Sequence, residues 1–391
     1  MKILFYLSRF PGWGGIESVT EIIGSRLAEM GYEISVLAHV RQDRPSALLQ
    51  KASFHLMPDN PFLRPGESRW DTADNRAFAC QLASRERYDI IIYQDSYAPS
   101  QGIVSEMAKL CGARLIVFEH STPLYLQKMI STPPSPLSFL SFIRFYNRRR
   151  LDIRRERKRH LFLLQNADKY VVLSKHYIKE LQQLCLLRNN SPLLKKVVSI
   201  NNPTGLKPIP VSHDQKETVI LFVGQINLDK GLDTIIHLWS RLYGQYPDWK
   251  LQIVGEGPLL ETLKNQCREN AVERIEFCGK QQPARYYERA KIFWMTSSFE
   301  GWPMTLTEAM GRGCVPVVMN SFSSAQEIIE HNVSGMIVPY GKQDSFLKAT
   351  SRLMDDDALW QDFSLNALRQ AQRFSAENII PQWIDLIDTL K

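Results

Sequence analysis

Glu300 and Glu308 stand with seven residues between them in the stretch FEGWPMTLTEAMGRGCVPVV, residues 299–318. Carboxylate oxygens accept hydrogen bonds, so a spaced pair of acids can orient a ligand rich in hydroxyls. The run Ile292-Phe293-Trp294-Met295 before the pair reads as a buried strand. Pro303 stiffens the loop that follows, and from Thr305 the pattern turns helical, with Leu306, Ala309 and Met310 at spacings of three and four. Gly311 and Gly313 stop that helix, and Val315 to Val318 reads as the next strand. Glu300 therefore falls in a loop at a strand's C-terminal end and Glu308 early in the next helix, where open α/β sheets bind ligands. A helix start favours an anion. A ligand carrying both hydroxyls and phosphates would satisfy both features, with the acids on hydroxyls and the amides of Met304, Thr305 and Leu306 on phosphate oxygens. Taken as two isolated acids, the pair would read more simply as solvated charges.

Strand and helix alternate on both sides of this stretch, which predicts an α/β protein of doubly wound parallel sheets. In the first half, KILFYLS (Lys2–Ser8) runs into Phe10-Pro11-Gly12-Trp13-Gly14-Gly15 and then a helix from about Ile16 to Met30. Gly14 and Gly15 would let the backbone approach an anionic group. The turn lacks the ending of a nucleotide P-loop and is not a GxGxxG fingerprint, so a tight structural turn is an equal reading. Strands are expected at Glu33–Ala38, Ser53–Met57, Asp89–Tyr93, Arg114–Phe118, Lys169–Leu173 and Lys196–Ile200. His120 lies just past the fifth of these seven strands, on the end that Gly14 and Gly15 should share. In the second half, TVILFV (Thr218–Val223) is followed by Gln225 and by Lys230 beside a helix start, well placed to meet a phosphate. Trp249 to Val254 ends in the turn Gly255-Glu256-Gly257-Pro258, and Ile275 to Gly279, with Phe277, is the next strand.

One segment stands apart. After the break TPPSP (Thr132–Pro136), an apolar aromatic stretch with Phe142 and Phe145 runs into Arg148, Arg149, Arg150, Arg154 and Arg155; Arg144 to His160 holds nine Arg or Lys and two acids. An aromatic stretch joined to a basic helix suits an anionic membrane surface or a lipid-linked acceptor. The alternatives are a solvated helix face and, with no nucleic-acid module in view, a nucleic-acid footprint.

A chain of 391 residues predicts two domains. With 44% hydrophobic and 23% charged residues it is a globular composition, and its net charge of +7 favours acidic partners. The six cysteines are scattered without a CxxC pair, which argues against a zinc site and for a reducing compartment. The N-terminus reads as a first strand rather than a signal peptide, and no run approaches the roughly 18 apolar residues of a membrane span.

The order VGQINLDKG, VGEGP, IEFCG, the 299–318 stretch and EIIEHNVSGMIVP, strongest over about 215–345, resembles retaining glycosyltransferases of family 4. Gly14-Gly15, His120, Ser174 and Asn202 are weaker matches. The resemblance is to enzymes of lipopolysaccharide, capsule and exopolysaccharide synthesis. It implies the GT-B fold: two facing Rossmann-like domains at 1–205 and 206–374 about a cleft, and a C-terminal helix over 375–391 that crosses back. It implies transfer of a hexose from a nucleotide-diphosphate sugar, UDP favoured, to a glycan or glycolipid hydroxyl with retention. Glu300 would contact the sugar, Glu308 the ribose, Lys230 with the Met304–Leu306 amides the diphosphate, and His120 the sugar near its reacting carbon. Gly14 and Gly15 would approach the phosphate or sugar, Glu256 and Gly257 the nucleotide, and Phe277 the base. Gln225 stands where the family usually has Arg, which throws more of the phosphate charge onto Lys230. No metal and no cofactor are expected, since no Asp-x-Asp is present, and the nucleotide sugar is a co-substrate. The expected setting is the cytoplasmic face of the inner membrane, bound peripherally, with no nucleic acid. The rival readings are a GT-B sugar-nucleotide epimerase and a non-catalytic membrane or nucleic-acid-binding protein.

Overall fold

The structure, a computed structural model, describes residues 1–58, 70–94, 100–126 and 139–391, without the side chains of 139–143. The TPPSP break and the Phe142 side chain lie outside the described residues. The chain divides into two units, Met1–Pro203 with Ile379–Lys391, and Thr204–Asn378.

In the first unit, parallel strands β1 (Lys2–Arg9), β2 (Glu33–Val40), β3 (Ser53–Leu56), β4 (Ile90–Tyr93), β5 (Arg114–Glu119), β6 (Lys169–Val172) and β7 (Val197–Ser199) form one sheet. Their spatial order is β3-β2-β1-β4-β5-β6-β7. The second unit holds β8 (Glu217–Val223), β9 (Lys250–Val254), β10 (Ile275–Gly279), β11 (Ala290–Met295), β12 (Val315–Asn320) and β13 (Met336–Pro339), in the order β10-β9-β8-β11-β12-β13. Both faces of such sheets are covered by helices, so central strands are apolar on both sides. Ile90 to Tyr93 and Ile292 to Met295 are buried throughout. The helix Leu232–Leu242 supplies one covering stripe with Leu232, Ile235, Ile236, Trp239 and Leu242, all buried.

Each sheet winds outward from its first strand in one direction, then returns to that strand's other side. The order reverses between β1 and β4 in the first sheet and between β8 and β11 in the second. At such a reversal the loops leaving the two neighbouring strands diverge to opposite faces and open a crevice at their C-terminal ends. The two reversals decide where chemistry can be placed. They bring the loop with Gly14 and Gly15 beside the residue after β4, Gln94, and the loop with Lys230 beside the loop with Glu300.

Candidate functional site

In the second unit three loops lock together at the carboxyl ends of β8, β9 and β11. Gly255 (φ +149°) lies against the Gly224 carbonyl and Gly257 against that of Ile226, so closely that a Cβ at either would collide with backbone. Ile226 N–H donates to the Glu256 carbonyl at 2.8 Å. From the other side, Ser298 N–H donates to the Asp229 carbonyl at 2.8 Å, and Thr296 Oγ1 to the Gly231 carbonyl at 2.9 Å.

On this support Lys230 Nζ meets Glu300 Oε1 at 2.6 Å, and Ser297 Oγ donates to the same oxygen at 2.8 Å. Glu300 is buried and Lys230 half-buried. An ammonium has three protons, so one given to Glu300 still allows others to meet an anion. Gln225 is exposed and adds no charge there.

The helix of this stretch is Met304–Met310, one residue earlier than the periodicity suggests, with Pro303 as its N-cap. The Leu306 amide is given to the Pro303 carbonyl at 3.1 Å, so of the three expected phosphate donors it is already engaged. Met304 and Thr305 remain as first-turn amides. Glu308, half-buried, accepts from the Tyr287 hydroxyl at 3.2 Å through Oε2. Its Oε1 faces Gly205, where any side chain would collide with it. Burial pushes the Glu308 carboxyl up to about 7, against Tyr287 and Arg312, which pull it down. Tyr287 is itself fixed by a buried lysine: Lys216 Nζ donates to the carbonyls of Tyr287 and Ala290 at 2.8 Å and of Arg312 at 2.7 Å. Phe277 does not join the group. Strand alternation turns it onto the core, beside a 490 Å³ pocket lined by Lys264, Cys267 and Arg268.

In the first unit Gly14 is the N-cap of the helix Gly15–Glu29. The Glu17 carboxylate lies against Gly12 and Gly14 and would block a Cβ at either. Arg44 donates to the Gly12 carbonyl and stacks 4.5 Å over Trp13. His120 Nε2 lies 2.9 Å from Gln94 Oε1, and Gln94 Nε2 donates to Thr20 Oγ1 at 2.8 Å. The ring of His120 packs 4.0 Å from that of Phe118, which packs 4.8 Å from Trp383 of the helix Ala376–Asp388. Burial holds the imidazole down at about 3, with Glu119 pulling weakly upward, so His120 is neutral. Thr20 and Gln94 carry no motif; their only trace in sequence is a polar residue directly after the buried run IIIY, and a threonine on an apolar helix face.

The basic segment is part of one helix, Phe139–Asn166. Arg144, Arg148, Arg150, Arg154, Arg155 and Lys158 are exposed, with Leu151 51% exposed among them. Arg149 and Phe145 are half-buried, and Arg155 pairs with Asp152 at 3.2 Å. The basic face ends before the run does. Arg159 and His160 are buried in a network the charge count gave no hint of. Arg159 pairs with Glu156, His160 Nδ1 donates to the Tyr170 hydroxyl at 2.7 Å, and Tyr170 donates to buried Glu119 at 3.2 Å. Glu119 also accepts from Ser121 Oγ at 2.7 Å. Among the described residues no helix is long and apolar enough to cross a membrane, and no three His, Cys, Asp or Glu side chains gather to hold a metal ion.

Comparison with known proteins agrees with this architecture. The profile described as Glycosyltransferase Family 4 matches residues 13–192, and that described as Glycosyl transferases group 1 matches residues 207–370. An uncharacterized glycosyltransferase of Haemophilus influenzae is 29% identical over 189 residues, which is 48% of this chain and 54% of that protein. The lipopolysaccharide 1,6-galactosyltransferase of Salmonella typhimurium is 25% identical over 214 residues, 53% of this chain and 58% of that one. The chain thus spans little more than half the length of these curated relatives. The crystal structure of Anabaena HepE in complex with UDP superposes with a TM-score of 0.75 at 16% identity, covering 100% of both chains, a likeness of fold. Two Rossmann-like sheets and two adjoining profile matches leave little of the chain outside one scheme: it belongs to the glycosyltransferases of GT-B fold, with a family 4 domain followed by a group 1 domain.

Proposed function

We propose that the protein transfers a hexose from a UDP-sugar to a hydroxyl of a lipid-linked or oligosaccharide acceptor, with retention, in cell-envelope polysaccharide synthesis. The observation that carries this reading is the pairing of Lys230 with Glu300 at the β8/β11 reversal, beside Glu308. Lys230 and Glu300 stand on the locked loops and Glu308 on the helix that follows, where the cation would meet phosphate and the two acids the sugar and the ribose. The bound UDP of the HepE crystal structure and the lipopolysaccharide galactosyltransferase activity of the Salmonella relative support the donor and the class of polysaccharide.

The chemistry follows from charge placement. The anomeric C–O bond to the β-phosphate breaks through an oxocarbenium-like state. Lys230 and the Met304 and Thr305 amides stabilise the negative charge that grows on the departing diphosphate. The acceptor hydroxyl adds on the face the diphosphate leaves, and a phosphate oxygen takes its proton. Glu300 orients the sugar, and neither a protein nucleophile nor a metal takes part. The test is incubation of UDP-hexoses with a lipid-linked glycan extract, with and without EDTA, and NMR of the product. An α-linked product from an α-donor, unchanged by EDTA, is expected. Hydrolysis or epimerisation alone, or an inverted product, would refute the reading.

The exposed arginines point the same protein to an anionic surface on the cytoplasmic face of the inner membrane. Arg144, Arg148, Arg155 and Lys158 recur at helical spacing and share a face. Each basic residue near such a surface contributes about 1 kcal/mol, so reversing Arg144, Arg148 and Arg155 to Glu should weaken vesicle binding by at least about 10²-fold. Cosedimentation with phosphatidylglycerol vesicles reads this; unchanged binding would make the segment a solvated helix face.

A further inference from the structure

One buried ammonium joins two short helices of the second unit. Lys216, 9% exposed and directly before β8, donates through Nζ to the Tyr287 and Ala290 carbonyls at 2.8 Å and to the Arg312 carbonyl at 2.7 Å. An ammonium has three protons, so main chain takes all of them. Tyr287 and Ala290 lie at the C-terminal end of the helix Ala284–Arg289, and Arg312 lies in the turn that ends the helix Met304–Met310. A helix leaves its last carbonyls without partners, and a cation there satisfies them. Here one cation serves two helices at once and fixes the distance between them. The Cys314 thiol packs on the same place, donating to the Tyr287 carbonyl at 3.0 Å.

Each of these helices carries one partner of a hydrogen bond, the Tyr287 hydroxyl donating to Glu308 Oε2 at 3.2 Å. Tyr287 is fully buried, and its ring meets that of Phe293 on β11 edge to face at 6.2 Å, so it has little room to swing. Burial, with Glu308 beside it, pushes the hydroxyl well above its ordinary range, so it stays a donor across neutral pH. The other carboxylate oxygen, Oε1, lies against Gly205, which brings no charge. Arg312 is the cation that pulls on Glu308, and it is itself engaged, with Glu288 at 3.3 Å and with the Lys207 carbonyl. Lys216 reaches Glu308 through main chain and through Tyr287.

We propose that Lys216 and Tyr287 are positioning residues for Glu308: the ammonium sets two helices against each other, and the tyrosine hydroxyl so placed holds one carboxylate oxygen and leaves the remaining lone pairs to the ribose hydroxyls. The ribose contact rests on the transferase reading; the hold of Lys216 and Tyr287 on the carboxylate does not. Lys216 then contributes to nucleotide binding without touching the nucleotide.

The full-length protein labelled with ¹³C-carboxyl glutamate tests this by NMR titration across neutral pH, with Glu308 assigned by its loss in Glu308→Gln. Tyr287→Phe removes only the hydroxyl. It should move the Glu308 midpoint up by about 1 pH unit, because the ionised form loses a donor. UDP affinity, read by calorimetric titration, should fall about tenfold at pH 7 and by less at pH 9. Lys216→Met keeps the length of the side chain without its protons; it should move the midpoint the same way and lower Tm as well. A packing role for either residue would lower Tm and leave the midpoint in place. An unmoved midpoint in Tyr287→Phe overturns the proposal whether or not Lys216→Met folds, and so does a moved midpoint with wild-type UDP affinity at pH 7. An unmoved midpoint in folded Lys216→Met overturns the part given to the lysine. Absence of UDP binding by the wild type at every pH counts instead against the transferase reading, and the midpoint in Tyr287→Phe still reads the hold on Glu308 by itself.

Discussion

Glu308→Ala is expected to lower kcat/KM for the donor by at least about 10³-fold while the protein melts no lower than the wild type at pH 8. Two hydroxyls donating to one carboxylate are charged hydrogen bonds, each contributing about 1.5–3 kcal/mol, and both are lost together. The stability half comes from the raised carboxyl. Its proton is bound more tightly in the folded protein (about 7) than in an unfolded chain (about 4.3). Protonation therefore favours the folded state below the unfolded value, and that contribution is lost as pH rises through the folded one. Near pH 8 the ionised, half-buried carboxylate is a cost on the order of 1–3 kcal/mol. Glu308→Gln keeps the acceptor for Tyr287 and should raise Tm at pH 8 while still losing donor binding. The same titration governs the wild type. Only the ionised form can accept from both hydroxyls, so lowering pH from 8 to 6 should weaken UDP binding about tenfold, and Glu308→Gln should flatten that dependence. Calorimetric titration with UDP at the two pH values reads this. Equal affinities in the wild type would take Glu308 out of the nucleotide site.

Lys230→Ala should be nearly as damaging, by another route. On the proposed chemistry the ammonium would stabilise charge that appears only as the diphosphate departs, and removal of one such donor costs about 10²–10³ in kcat. It also leaves Glu300 buried without its cation. The carboxyl then loses the contact that fixes its direction, and with it its proposed hold on the sugar. The loss should therefore exceed a simple phosphate contact, with kcat falling further than donor KM rises. Lys230→Arg should recover part of it. Since the two groups touch, the double variant Lys230→Ala/Glu300→Gln should be less impaired than the product of the single losses predicts. Strict multiplicativity, measured in steady-state transfer assays, would mean that the pair does not act as a unit.

The doubly wound fold was legible because parallel strands buried on both faces leave continuous apolar runs, such as IIIY and KIFWM, between helices of ordinary period. The helix after Pro303 was legible for the same reason, to within one residue. The pairing of Lys230 with Glu300 was not. The two residues are 70 positions apart, and only the adjacency of β8 and β11, a matter of strand order, joins them. Resemblance placed both at the site but gave the lysine to phosphate and the acid to sugar, without the bond between them. Arg159 and His160 show the limit of charge counting. They close a run that looks uniformly solvated, yet their helix has by then reached the sheet, and Glu119 and Tyr170 wait for them there. Phe277 shows what motif position leaves out: its ring packs against the core of its unit and lines a pocket with Lys264 and Cys267.

The contacts of Gly255 with Gly224 and of Gly257 with Ile226 bear on how this site can change over time. Main chain presses on main chain there, with no side chain between that could be trimmed or swapped to make room. A shift of one loop must carry the others with it, so the floor of this candidate site is inherited as a single piece. New ligand preferences can then arise only through the side chains that project from it. Grafting any one of these turns from a relative should fail unless its companions are brought along.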